Sequence, residues 1–137
     1  MIEIERDNFE NKADDYLDMF EAIFGGLDIY HLPADVFYFV DRGKRIGFYA
    51  GYALDMRTYY IQYAGVLDHN RTPRKARQCF ARAVEHCAER GFANVMCLVE
   101  SKNNAALRLI LGIGFNVIGL RNGDGGLHVE LGKRGDQ

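Results

Sequence analysis

One strand–helix–strand stretch restricts this chain more than any other part of it. The run Thr58 to Leu67 leads through Asp68-His69-Asn70-Arg71 into a segment where Ala76, Cys79, Phe80, Ala83, Val84, Cys87 and Ala88 recur at three- and four-residue spacing. Arg74, Arg77, Arg82, Glu85 and Glu89 fall on the other faces, so the spacing predicts an amphipathic helix with one face in a core. Thr72 suits the N-cap, Pro73 the first helical position and Gly91 the left-handed residue past the end, which places the helix over Pro73 to Arg90. An apolar run, Ala93 to Val99, follows. Two strands joined by a helical crossover lie parallel with a right-handed connection, and ligands of such sheets bind beyond the strands' carboxyl ends. Val66/Leu67 and Val99/Glu100 are those ends; each precedes a helix N-terminus, and both point to one crevice.

The remaining elements fit around this unit. Ala13, Tyr16, Leu17, Phe20, Ile23 and Phe24 predict an early helix with Asp14, Asp15, Asp18 and Glu21 outward, closed by Gly25-Gly26. Strands are expected at Asp35 to Val40 and Arg45 to Leu54, joined by the turn Asp41-Arg42-Gly43-Lys44. A short helix at Asn103 to Gly112 and strands at Phe115 to Leu120 and Leu127 to Leu131 complete the order, the last two joined by the Gly-rich loop Asn122 to Gly126. The class is α/β (α+β), a mixed central sheet of about six strands flanked by helices. At 137 residues and 48% hydrophobic, residues 1–137 are expected to form a single domain.

Charge is unevenly distributed. Net charge is −2, yet residues 1–28 hold nine acids against Arg6 and Lys12, while Arg71, Arg74, Lys75 and Arg77 crowd one helix start. Helix-end N–H groups beside four cations form a phosphate cradle; the alternative, a solvated basic face, carries equal weight on composition alone. An acidic total without interleaved aromatics argues against nucleic acid. Cys79, Cys87 and Cys97 form no CxxC pair and read as buried free thiols. His31, His69, His86 and His128 are dispersed, so no metal is expected. With no apolar run of membrane-spanning length and no signal-peptide pattern, the chain is expected to be cytoplasmic, away from membranes.

Two motifs resemble the GCN5-related N-acetyltransferase (GNAT) family. Arg71-Thr72-Pro73-Arg74-Lys75-Ala76 is similar to its pyrophosphate loop, Gln/Arg-x-x-Gly-x-Gly/Ala, at the first and last positions, with Arg74 where the middle glycine stands. Asn103-Asn104-Ala105-Ala106-Leu107-Arg108-Leu109-Ile110-Leu111-Gly112-Ile113-Gly114-Phe115 resembles the signature Asn-x-x-Ala-x-x-Leu-Tyr-x-x-Leu-Gly-Phe, with Ile110 at the tyrosine position.

The resemblance implies a splayed sheet and acetyl-CoA, or another acyl-CoA, as cosubstrate. The backbone at Val66 and Leu67 would pair with pantetheine, N–H groups of Thr72 and of Arg74 to Ala76 would hold the pyrophosphate with the Arg71 and Lys75 side chains, and Asn103 would touch the cofactor. The acceptor would be a small-molecule or peptide amine; a homodimer is left open. The departures bear on catalysis. Ile110 has no proton for the leaving thiolate, and the strand to Leu67 offers Tyr60 and Gln62 on one face with Tyr59 and Tyr63 on the other, but no carboxylate. Glu100 is the nearest acid, so Glu100, Tyr60 and Tyr63 are the candidate proton carriers. Two functions follow: an N-acetyltransferase acting by positioning, or a catalytically silent GNAT-fold binding or structural module, of the compact kind borne by phages.

Overall fold

Hydrophobic patterning and capping chemistry account for most elements of the computed structural model, which describes residues 2–7, 14–25, 35–123 and 126–134. In chain order these are β1 (Glu3–Arg6), α1 (Asp14–Phe24), β2 (Asp35–Asp41), β3 (Lys44–Ala53), β4 (Thr58–Val66), a 3-10 turn (Asp68–Asn70), α2 (Pro73–Glu89), β5 (Asn94–Glu100), α3 (Asn104–Gly112), β6 (Asn116–Gly123) and β7 (Gly126–Arg134). Gly26, Asp28, His31 and the Asp124-Gly125 centre of the last loop lie outside the described residues.

One mixed sheet of seven strands runs β1-β2-β3-β4-β5-β7-β6, one strand more than patterning predicts. The addition is β1, which pairs antiparallel with β2. Ile2 is buried and Ile4 packs on the core, while Glu3 and Glu5 face solvent. Four residues, half of them acidic, are too few for the alternation to stand out from the acidic N-terminal region. β7 inserts between β5 and β6, antiparallel to both.

Helix α2 is set by its ends. Thr72 Oγ1 accepts from the Lys75 N–H at 3.1 Å, Pro73 occupies the first turn without leaving a donor stranded, and Gly91 closes the helix at φ 98°. Cys79, Phe80, Ala83 and Cys87 bury its inner face. Burial of Phe80 alone contributes roughly 1.5–3 kcal/mol. Two cores result. One, under α2 and α3, takes in Tyr49, Tyr59, Ile61, Val66 and Val95. The other, under α1, joins Tyr16 and Phe20 to Val36, Tyr38, Phe48 and Ala50.

What opens the sheet is a bulge. Ala50 pairs with Tyr63 and Gly51 with Ile61, leaving Gln62 unpaired on β4. A bulge bends the strand that carries it, and the parallel pairing of β4 with β5 extends only from Thr58 and Asn94 to Ile61 and Cys97. Beyond that point no pairing between them remains. The close approach at the bulge requires glycine: a Cβ on Gly51 would stand 1.9 Å from the Tyr60 carbonyl oxygen.

The bulge also overturns the expected alternation along β4. Tyr59 and Ile61 point into the α2 core, but Tyr63 sits among the α1 rings, with centroids 4.9 Å from Phe20 and 5.8 Å from Phe24. One extra residue reverses the facing of every residue after it, so Tyr63 joins Tyr60 rather than Tyr59.

Candidate functional site

Three hollows adjoin where β4 and β5 part. The largest, about 770 Å³, lies between the splayed strands and is walled by Tyr60, Tyr63, Glu100, Arg121 and His128. A second, about 380 Å³, runs behind β4 past Ala64, Val66 and Cys79 to Arg71. The third, about 590 Å³, lies between the starts of α2 and α3, from Arg71 and Thr72 to Arg108. Ala106 borders all three, so they lie side by side from the α1 face of the sheet to the α2 N-terminus.

Backbone polarity along the hollows follows from register. The Leu67 N–H donates to the Ile46 carbonyl at 2.8 Å. Antiparallel alternation then turns the N–H and C=O of Ala64 and Val66 away from β3 and into the gap. Of the two backbone positions expected there, Val66 faces the gap and the Leu67 N–H is committed to β3; Ala64 faces the gap beside Val66. Which residues of β4 face the gap depends on the pairing partner of each, a tertiary fact that the sequence of the strand does not carry.

At the α2 end, the residues of the expected cradle divide. Arg71 donates from Nε and Nη2 to the Val66 carbonyl at 3.3 and 3.2 Å and pairs with Asp68 at 3.4 Å. Lys75 Nζ is bound to Asp41 at 2.9 Å, turned from the α2 N-terminus toward β2. Arg77 donates to the Gly112 carbonyl at 3.1 Å, tying α2 to α3. Arg74 is exposed and makes no hydrogen bond or ion pair among the described residues. The N–H groups divide likewise: Thr72 donates to the Asn70 carbonyl, Lys75 to Thr72 Oγ1 and Ala76 to the Thr72 carbonyl. Of the expected N–H donors, Arg74 alone keeps its hydrogen undirected at a protein acceptor, because the Thr72 cap and the 3-10 turn take up the others. Asn103 borders both inner hollows while its Oδ1 caps α3 through the Ala106 N–H at 3.1 Å, which leaves its amide donor for a ligand.

On the α1 face the sheet order assembles a row that no spacing along the chain reveals. Glu100 is opposite His128, and His128 is opposite Arg121, across β5, β7 and β6. The entry of β7 between β5 and β6 is what brings His128 and Arg121 beside Glu100; along the chain only the two-residue spacing of His128 and Glu130 marks a polar strand face. Arg121 Nε pairs with Glu130 at 3.1 Å. Tyr60 stands across the gap, its ring centroid 5.3 Å from that of Tyr52, and burial pushes its hydroxyl above the ordinary tyrosine range. Burial likewise raises the Cys97 thiol to about 12, so this lining cysteine is a neutral thiol.

No protein-family model matches the sequence, and no curated protein matches it. Solved structures do. The Bacillus subtilis acetyltransferase in complex with CoA is similar with a TM-score of 0.80 at 16% identity, over 98% of this chain and 99% of that one. The Escherichia coli ribosomal-protein-S18-alanine N-acetyltransferase is similar at 0.76 and 15% identity, over 98% and 94%. Arabidopsis thaliana Naa50 with the bisubstrate analogue CoA-Ac-MVNAL is similar at 0.75 and 13% identity, over 96% and 97%. The chain has the GNAT fold.

Within the GNAT fold the two quoted motifs occupy neighbouring walls. Arg71 to Ala76 form the turn and first helical residues of α2, and Asn103 to Ile110 run along α3 beside them. Ile110 is buried and borders both inner hollows at the position of the motif's tyrosine. Cys79, Cys87 and Cys97 are buried free thiols. Among the described residues no group of three or more His, Cys, Asp or Glu side chains is arranged to hold a metal, and no helix is long and apolar enough to cross a membrane.

Proposed function

We propose that the chain is an acyl-CoA-dependent N-acetyltransferase acting on a primary amine. The observation that carries this reading is the row of three adjoining hollows, because their apolar middle and cationic end suit a ligand with a thioester head, a pantetheine arm and a pyrophosphate. The arm would lie along β4 and pair with the backbone of Ala64 and Val66. The pyrophosphate would meet the Arg74 N–H, the Arg71 and Arg74 side chains and the positive end of α2. Lys75 would contribute by holding α2 in place, and Asn103 by donating from its amide. The Bacillus subtilis relative holds CoA and the Arabidopsis one a CoA–peptide conjugate, which supports the same use of the hollows here.

Acyl transfer then occurs in the splay. Backbone N–H groups at the bulge would polarise the thioester carbonyl, and an amine entering from the α1 face would attack it directly. Glu100, at the mouth, favours a cationic acceptor. Tyr60 and Tyr63 replace the proton donor that Ile110 does not supply.

Ile110 favours a second reading, a silent GNAT-fold module that binds CoA without turnover. Calorimetry with CoA and acetyl-CoA tests the shared part. Both should bind, and the Arg71→Ala/Arg74→Ala double variant should bind about tenfold or more weakly, since charge-assisted contacts contribute about 1.5–3 kcal/mol each before screening. Equal affinity in the double variant would remove the pyrophosphate assignment. Thiol release from acetyl-CoA in the presence of amines separates enzyme from silent module.

A further inference from the structure

We propose that His128 accepts the proton of the attacking amine and that Glu100 positions it, an inference that rests on the acyltransfer reading above. The imidazole is fixed from one side. His128 Nδ1 lies 3.1 Å from the Gly126 carbonyl oxygen, which can only accept, so Nδ1 carries the hydrogen and Nε2 the lone pair. Gly123 backs the same edge of the ring: a Cβ there would lie 3.3 Å from Nδ1. With Nδ1 turned to the hairpin backbone on both counts, Nε2 is directed away from it, and His128 borders the largest hollow.

Charges around the ring favour this role. Glu100 is its cross-strand neighbour on β5 and Arg121 its neighbour on β6. Arg121 is engaged by Glu130 of β7 at 3.1 Å, whereas Glu100 makes no ion pair among the described residues. On β4 the facing groups are Tyr60 and Tyr63, neither of them cationic. His128 thus has one carboxylate as its cross-strand neighbour and a cross-strand cation that is already paired. Glu100 sits on the exposed end of β5, where it can hold the incoming ammonium or the imidazolium.

The proton count closes. The ammonium gives one proton to His128 Nε2; the free amine attacks the thioester carbon; the carbon–sulfur bond breaks, and the second proton passes from the new amide nitrogen to the thiolate by way of the Tyr60 or Tyr63 hydroxyl. The imidazolium then releases its proton to solvent, so each turnover yields one amide, one CoA thiol and one proton.

Thiol release from acetyl-CoA with spermidine and with free-amino-terminal peptides, measured against pH, tests the assignment in the full chain. His128→Gln should bind acetyl-CoA with parent affinity, lose about a hundredfold or more in kcat, and lose the acidic limb of the pH profile. Added imidazole should restore turnover to His128→Ala, and Glu100→Gln should lower kcat while keeping the limb. Nitrogen-15 NMR of the parent should show His128 protonated at Nδ1. Parent kcat and pH profile in a folded His128→Gln variant, a limb that vanishes in Glu100→Gln alone, or an Nε2–H tautomer would each overturn the proposal. Failure of the parent to bind acetyl-CoA would overturn the acyltransfer reading instead, and binding without thiol release to any of these amines would overturn both.

Discussion

Lys75 Nζ and Asp41 Oδ2 stand 2.9 Å apart, which fastens the first turn of α2 to the end of β2 and draws a cation out of the expected phosphate cradle. The hydrogen bond from Lys75 holds the Asp41 carboxyl below the usual carboxylate range. A carboxylate whose folded value is depressed contributes stability above its unfolded value, and that stability is lost as pH falls through the folded one.

Lys75→Met should therefore lower the urea midpoint at neutral pH, and the difference from the parent should shrink as pH falls through the depressed folded value of Asp41. CoA affinity should fall less in this variant than in Arg74→Ala. The opposite ranking would return Lys75 to the phosphate site.

Gly51→Ala probes the bulge. The new Cβ would stand 1.9 Å from the Tyr60 oxygen and 3.0 Å from its carbonyl carbon, both backbone atoms that cannot turn aside. Relief requires β3 and β4 to separate or the bulge to move. Unfolding free energy should drop by about 3 kcal/mol, the upper end for overpacking, and acetyl-CoA affinity should drop with it because the Ala64 and Val66 backbone groups shift. Parent stability in Gly51→Ala would mean that the bulge relocates at no cost.

The α2 region was legible because several local signals agree: Thr72, Pro73, the apolar spacing and Gly91 each specify the same helix. The crossover then fixes β4 and β5 as parallel neighbours. Elsewhere the deciding facts are non-local. Nothing within Tyr59 to Tyr63 announces that Gln62 is the extra residue; Gly51, on the facing strand, supplies the room for it. Arg71, Lys75 and Arg77 look alike in sequence, yet the Val66 carbonyl, Asp41 and the Gly112 carbonyl assign them different work. His128 reaches Glu100 only through the insertion of β7 into the sheet.

Ile110→Tyr restores a hydroxyl where α3 borders the gap. Tyr is larger than Ile, but the side chain lines two hollows, of about 770 and 380 Å³, that can take the added atoms. Acetyl transfer should be unchanged or faster, with the gain greatest at high pH, where solvent protons for the leaving thiolate are scarcest and a general acid helps most. A large loss of kcat in a folded variant would show that the apolar side chain shapes the thioester pocket.

His86 supplies a pH test remote from the hollows. Tyr49, buried and pushed by that burial well above the ordinary tyrosine range, keeps its hydrogen and donates to His86 Nδ1, so the imidazole is an acceptor and neutral. Burial, then the cations Arg90 and Arg82, hold His86 below its ordinary value of 6.5. The unfolded chain therefore binds a proton that the folded chain refuses between the folded value and 6.5. Linkage makes stability rise with pH across that window, flatten above it, and fall as pH drops below 6.5. The urea midpoint of the parent should decline as pH falls below 6.5, whereas His86→Gln, which can still accept from Tyr49 through its amide oxygen, should lose that decline. The same decline in both proteins would assign the pH dependence to other groups.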